Sequence, residues 1–184
     1  FTYVGRLVTD KGINELVTAF DKFSTKHKNT KLVLVGWRES ELDPLLPETE
    51  EALKNNNHII QVGYQPDVRP YFAMSKVLVF PSYREGFPNV VLQAGAMGLP
   101  SIVTDINGCN EIVVEGQNGT IIPVKNVAAL VEAMQKMCSD KAYYEQLQQN
   151  ARVMIQSRYE QRVVWEALLA EYNSLLAKYN SIKG

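Results

Sequence analysis

The stretch from Val77 to Asp105, VLVFPSYREGFPNVVLQAGAMGLPSIVTD, decides how the chain folds. Residues 77–80 are all apolar and too few for a helix, so they read as a strand buried on both faces. The loop PSYREGF follows. Pro88 then starts a helix, because its missing N–H costs nothing in a first turn. The helix runs out at Gly98-Leu99-Pro100, and residues 100–104 (PSIVT) give a second buried strand. A strand, a helix and a strand in this order form a parallel β-α-β unit.

The same alternation continues outward in both directions. Toward the start lie strands at 1–5 (FTYVG), 31–36 (KLVLVG) and 58–63 (HIIQVG). Between them, Ile13, Leu16, Val17, Phe20 and Phe23 mark one helical face within 11–27. A polar helix is expected over 47–55 behind Pro47, and a short one over 67–75 capped by Asp67. A sixth strand, GTIIP, occupies 119–123, and from about 126 to 180 the pattern is helical. These readings predict an α/β domain with a doubly wound, Rossmann-like parallel sheet of about six strands and a helical C-terminal tail. No repeat or linker divides residues 1–184. The chain opens at Phe1 inside a strand, which reads as part of a longer protein.

Composition excludes several classes. The 184 residues are 46% apolar and 21% charged, those of a globular domain able to bury a core. Nineteen basic and twenty acidic residues nearly cancel, which argues against nucleic acid as partner. Two cysteines, Cys109 and Cys138, build no disulfide framework and fit a reducing cytoplasm. No apolar run approaches the ~20 residues of a membrane span. His27 and His58 are isolated and no Asp-x-Asp pair occurs, so no metal site is expected.

Right-handed crossovers place the loops after all the strands on one edge of the sheet, where such folds bind ligands. Gly5, Arg6 and Lys11 belong there, as do Gly63 and the loop through Glu85, Gly86 and Phe87. A lysine at a helix start opposes the helix dipole unless an anion is shared there. Arg6 and Lys11 therefore read either as anion ligands or as solvated charges. The first amides of the helix after Pro88, those of Asn89 and Val90, face a phosphate or sugar oxygen equally well. Glu85 suits sugar hydroxyls better than phosphate, or simply complements the dipole.

Three segments, GRLVTDKGINELVTAF (5–20), EGFPNVVLQAGAMGLPSIVTD (85–105) and NEIVVEGQNGTIIP (110–123), decide between these alternatives. In this order they resemble the C-terminal domain of retaining glycosyltransferases of the two-domain GT-B architecture, in the large family four group. The resemblance implies that Arg6 and Lys11 hold the donor diphosphate, and that Glu85 contacts the donor sugar as the first acid of an E-x7-E motif. Gln93 stands where the second acid binds the ribose. Gly63 and Tyr64 match a turn near the nucleotide base. Asn107, Gly108 and Glu111 match a loop that usually reads Gly-Gly-x-x-Glu and faces the donor cleft. Asn118 and Gly119 match a structural turn.

By this resemblance the protein transfers a hexosyl unit from a nucleotide-diphosphate sugar, without a metal, in polysaccharide or lipopolysaccharide assembly. A saccharide or lipid-linked acceptor would bind an N-terminal domain outside these residues, and this chain alone would transfer little. The location implied is cytoplasmic, at the inner face of the membrane. The last helix, with Trp165, Tyr172 and Tyr179, would cross toward that other domain. Other readings are a non-catalytic sugar-nucleotide binding module, a sugar-nucleotide epimerase of the same fold, and an α/β interaction domain without a ligand. The epimerase lacks its His and acid constellation here.

Overall fold

The structure is a computed structural model that describes residues 1–39 and 41–183. Its six strands are β1 (Thr2–Val4), β2 (Leu32–Val35), β3 (Ile59–Gly63), β4 (Leu78–Phe80), β5 (Ser101–Thr104) and β6 (Gly119–Ile122). They form one sheet in the order β3-β2-β1-β4-β5-β6, with every pairing parallel. The chain winds outward from β1 to β3, then returns to the centre at β4 and winds the other way. The reversal falls between β1 and β4, which share a single registered pair, Thr2 with Leu78. A crevice opens at such a switch point, beyond the strand C-termini.

Helices cover the sheet because their apolar faces repeat with the helical period. In α1 (Ile13–Ser24), Ile13, Leu16, Val17, Phe20 and Phe23 are all buried, as their spacing predicts. Full burial of a side chain of this size contributes roughly 1.5–3 kcal/mol. The remaining helices are α2 (Pro47–Asn55), α3 (Arg69–Met74), α4 (Asn89–Ala96), α5 (Cys109–Ile112), α6 (Val127–Ser139), α7 (Lys141–Tyr159) and α8 (Gln161–Lys183). Side-chain carbonyl or carboxylate oxygens start α6 and α7: Asn126 Oδ1 accepts from Ala129 N at 3.0 Å, and Asp140 Oδ1 from Tyr143 N at 2.9 Å. α1 packs against α6 and α2, and α4 against α7, so one hydrophobic core runs through the molecule.

Three local expectations are corrected. β3 is not buried on both faces: it is an edge strand, with Ile60 and Gln61 exposed. Asp67 does not occupy the cap position of α3, which Val68 takes, although Asp67 Oδ1 still accepts from Arg69 N at 3.0 Å. A short turn of 3-10 helix, Thr9–Lys11, intervenes before α1, so Lys11 precedes the helix instead of opening it. Beyond α7, α8 stands away from the core. Its apolar side chains, among them Trp165, Leu168, Leu169, Tyr172 and Leu176, are exposed.

Candidate functional site

Two loops meet at the switch point. After β1 the chain carries Gly5, Arg6 and Lys11, and after β4 it carries Glu85, Gly86 and Phe87. Lys11 Nζ donates to Glu85 Oε1 at 2.7 Å, joining residues 74 apart in sequence. Each side chain of the pair is only 16% exposed, so solvent screens it little. The pair forms because both loops are held from below. Tyr83 N donates to Asp10 O at 2.9 Å, and the Tyr83 hydroxyl reaches both carboxylate oxygens of Glu15 at 2.7 Å. Burial first, then that hydrogen bond, raises the Tyr83 phenol above its ordinary range. Thr104 at the end of β5 donates to the Ser82 carbonyl and fixes the second loop from the other side.

Beneath the pair lies Tyr3, fully buried, its hydroxyl donating to Arg6 O at 2.8 Å. Burial, with the nearby charges of Glu85 and Asp10 adding to it, pushes this phenol well up, so it stays a neutral donor. Arg6 turns toward the loop after β2 and ion-pairs with Glu39, which raises its own pKa. That loop braces the first one: Asp43 Oδ2 accepts from Asp10 N at 2.7 Å, and Thr9 Oγ1 donates to Pro44 O at 2.5 Å. Asn14, buried at the start of α1, ties the two together, with Oδ1 accepting from Leu46 N and from Thr49 Oγ1.

α4 begins immediately beyond Glu85, with Pro88 buried at its cap. The first helical amide bond comes from Val91 N to Pro88 O at 3.0 Å, which leaves the Asn89 and Val90 amides at the open end. Gln93 is exposed on α4 and lines a hollow of about 440 Å³ with Pro66, Val68, Arg69 and Met97. Phe87 packs edge-on against Tyr159 of α7, ring centroids 5.5 Å apart. Gly63 ends β3, its carbonyl accepting from Gly36 N at 2.8 Å, and Tyr64 beyond it is exposed.

The loop of Asn107 to Glu111 closes the third side. At Gly108 an added Cβ would lie 2.4 Å from the Gly86 carbonyl oxygen, so only glycine allows this approach. Cys109 behind it is fully buried and carries a thiol pushed up to about 12 by burial and by Glu85. It is therefore neutral and no nucleophile. The Glu111 carboxylate accepts from Gly108 N at 3.2 Å, at the start of its own short helix, and Asn107 is exposed. Arg158 and Tyr159 of α7 both donate to the Glu111 carbonyl. Asn118 is buried, and it accepts from Val114 N at 2.7 Å and donates to Ile112 O at 3.1 Å.

Of the residues expected at the site, the structure brings Lys11 and Glu85 into contact and Gly108 against the Gly86 carbonyl, while Arg6 turns to Glu39. Gln93 and Tyr64 lie in neighbouring hollows that share Val68. Sequence reasoning missed Trp37, Glu39 and Asp43. Their signal was positional: they follow β2 and must reach the same edge. Among the described residues no cluster of His, Cys, Asp or Glu could hold a metal ion, and no helix is long and apolar enough to cross a membrane.

A doubly wound parallel sheet of this order, with a crevice at its switch point, defines a Rossmann-like α/β class. The chain belongs to the glycosyl transferases group 1 family, which matches residues 1–154. It is 33% identical over 175 residues to the capsular polysaccharide biosynthesis glycosyltransferase CapM of Staphylococcus aureus, covering 95% of this chain and 46% of that protein. It is 30% identical over 175 residues to the putative teichuronic acid biosynthesis glycosyltransferase TuaC of Bacillus subtilis, covering 94% and 41%. The chain thus spans about half the length of the relatives it matches.

Solved structures share the GT-B-type fold. Anabaena HepE in complex with UDP superposes with a TM-score of 0.84 at 19% identity, over 94% of this chain and 48% of that one. The C-terminal domain of a glycosyl transferase group 1 protein, LpcC of Francisella tularensis, gives 0.80 at 22% identity, over 87% and 85%.

Proposed function

We propose that this chain is the donor-binding half of a retaining glycosyltransferase, which moves a hexosyl unit from a nucleotide-diphosphate sugar to an acceptor hydroxyl. The observation that carries the reading is the Lys11–Glu85 contact at the switch point, just ahead of α4. An ammonium has three donors and a guanidinium five. One bond to Glu85 and one to Glu39 leave Lys11 and Arg6 able to bind diphosphate oxygens as well. As the sugar leaves, negative charge gathers on the diphosphate, and Arg6, Lys11 and the Asn89 and Val90 amides would stabilise it. This assigns leaving-group stabilisation to side chains and amides instead of a metal. Glu85 would accept from the sugar hydroxyls, and Gln93 from the ribose. Gly5, Gly86, Phe87 and Pro88 shape the loops that present these groups.

The relatives in capsular polysaccharide and teichuronic acid biosynthesis support an acceptor that is a saccharide or a lipid-linked saccharide. We assign that acceptor, and the cover over the bare apolar side of α8, to the half of the protein that this chain does not span. Work at the inner face of the membrane, by peripheral contact, fits such an acceptor. A second reading, a sugar-nucleotide binding module without turnover, draws on Gln93, which cannot offer the ribose a charge. Turnover by the full-length protein decides between the two.

A thermal-shift panel with UDP, GDP, ADP and their hexose conjugates tests the donor site. A ligand at a hundred times its dissociation constant adds about 2.7 kcal/mol. For a chain of 184 residues that raises Tm by roughly 5–10 °C. The shift should disappear in Lys11→Ala and shrink in Arg6→Ala. No shift with any nucleotide would overturn the reading.

A further inference from the structure

Tyr159, the last residue of α7, stands against the loop of Glu85. The helix stops there because Glu160 turns to extended backbone, with φ −61° and ψ 140°, before α8 begins. The Tyr159 ring meets that of Phe87 edge-on, centroids 5.5 Å apart. Its hydroxyl donates to the Glu111 carbonyl at 2.8 Å and accepts from Arg158 Nη2 at 2.7 Å. Arg158 also donates to the Glu111 carbonyl and, at 3.3 Å, to that of Ile112. These are the last carbonyls of α5, which so short a helix cannot satisfy within itself. The end of α7 is itself firmly seated. An added Cβ at Gly95 of α4 would stand 2.6 Å from Ile155 Cγ1, so the two helices touch about one turn before Tyr159.

These contacts close a circuit around the loop. It runs from the Tyr159 hydroxyl to the Glu111 carbonyl, and the Glu111 carboxylate accepts from Gly108 N at 3.2 Å. Gly108 abuts the Gly86 carbonyl oxygen, Phe87 is the next residue, and its ring returns to Tyr159. Gly86 has no side chain with which to anchor the loop, so its neighbours must. On one side Lys11 holds Glu85, and on the other Tyr159 holds Phe87. We propose that Tyr159 is a positioning residue for the donor sugar: it fixes Phe87, and through it the Glu85 carboxylate and the Gly86 backbone, in the arrangement that meets the hexose. The inference rests on the donor-binding reading above and divides that site in two. The diphosphate is assigned to Arg6 and Lys11, on the loop after β1, which shares none of these contacts with Tyr159. The sugar is assigned to Glu85, on the loop that Tyr159 holds.

Calorimetry on this chain compares UDP, GDP and ADP with UDP-glucose, UDP-N-acetylglucosamine, GDP-mannose and ADP-glucose. In Tyr159→Ala the conjugate that wild type binds most tightly should bind about fivefold more weakly, as expected where an aromatic edge contact is lost. Its bare nucleotide should keep its affinity to within about twofold. Tyr159→Phe leaves the ring against Phe87, and Arg158 still holds the Glu111 carbonyl, so this variant should retain the wild-type affinity for the conjugate. Phe87→Ala removes the same ring contact from the other side and should repeat the selective loss; it decides the matter if Tyr159→Ala does not fold. Equal losses for conjugate and bare nucleotide would make Tyr159 a general brace and overturn the inference. So would no loss for either, or nucleotide binding with no conjugate bound, since no sugar would then be positioned; in these cases the donor reading stands on the nucleotide. If neither nucleotides nor conjugates bind, the donor reading fails and takes this inference with it.

Discussion

The Lys11–Glu85 pair should couple by about 2 kcal/mol in a double-mutant cycle built from Lys11→Met and Glu85→Gln. The magnitude follows from its position. Exposed ion pairs contribute about 0–1 kcal/mol, and breaking fully buried ones costs about 3–5 kcal/mol. At 2.7 Å with 16% exposure on each side, this pair falls between those limits. It has the strength of a charge-assisted hydrogen bond, about 1.5–3 kcal/mol. Each single change strands the other charge in a mostly dry crevice, so each alone should cost nearly as much as both together. Urea unfolding followed by circular dichroism gives the four free energies. For a chain of this size about 2 kcal/mol corresponds to a Tm difference of roughly 4–8 °C. The coupling should survive high salt, because the pair is poorly screened. A coupling below about 0.5 kcal/mol would refute the reasoning, since only a loose surface contact behaves so.

Four further outcomes follow from the same geometry. Gln93→Glu should tighten donor binding by roughly 1 kcal/mol, about fivefold, by charging the ribose acceptor; an unchanged or weaker affinity by calorimetry would detach Gln93 from the ribose. Gly108→Ala, at φ 76° and against the Gly86 carbonyl, should cost roughly 1–3 kcal/mol in urea unfolding and displace the loop of Glu85. Asn118→Ala removes both of its backbone hydrogen bonds and should cost about 2 kcal/mol without weakening nucleotide affinity. The Cys109 thiol, near 9.0 unfolded and about 12 folded, stays protonated longer in the native state. Stability it contributes is whole below pH 9 and is lost as pH rises toward 12, so Cys109→Ala should flatten the alkaline fall in urea midpoint.

The sheet was legible because its strands are short apolar runs, several ended by glycine, and because the α1 face repeats so regularly. β3 misled because HIIQVG reads as buried, whereas the strand's place at the edge leaves Ile60 and Gln61 in water. α5 escaped notice, since four residues with one buried pair carry no period. At the site, the resemblance named Lys11 and Glu85, but no sequence pattern says that they touch. Glu39, Asp43 and Trp37 sit in a charged stretch without periodicity. Their contacts depend on β1 lying beside β2, with Tyr3 opposite Leu34, which is a tertiary fact. The Glu111 contact with Gly108 likewise depends on a turn that the sequence does not announce.

The sheet's point of reversal also bears on how the chain folds. Each half of the sheet supplies one loop of the crevice, and the two meet across 74 residues of chain. Joining ends so far apart costs loop-closure entropy before any contact offsets it. An intermediate that has assembled only β1 to β3, or only β4 to β6, therefore holds only one side of the proposed donor site. Nucleotide added during refolding would find nothing to bind until the two halves dock. Ligand capture by the nascent chain would thus time the last step of its assembly.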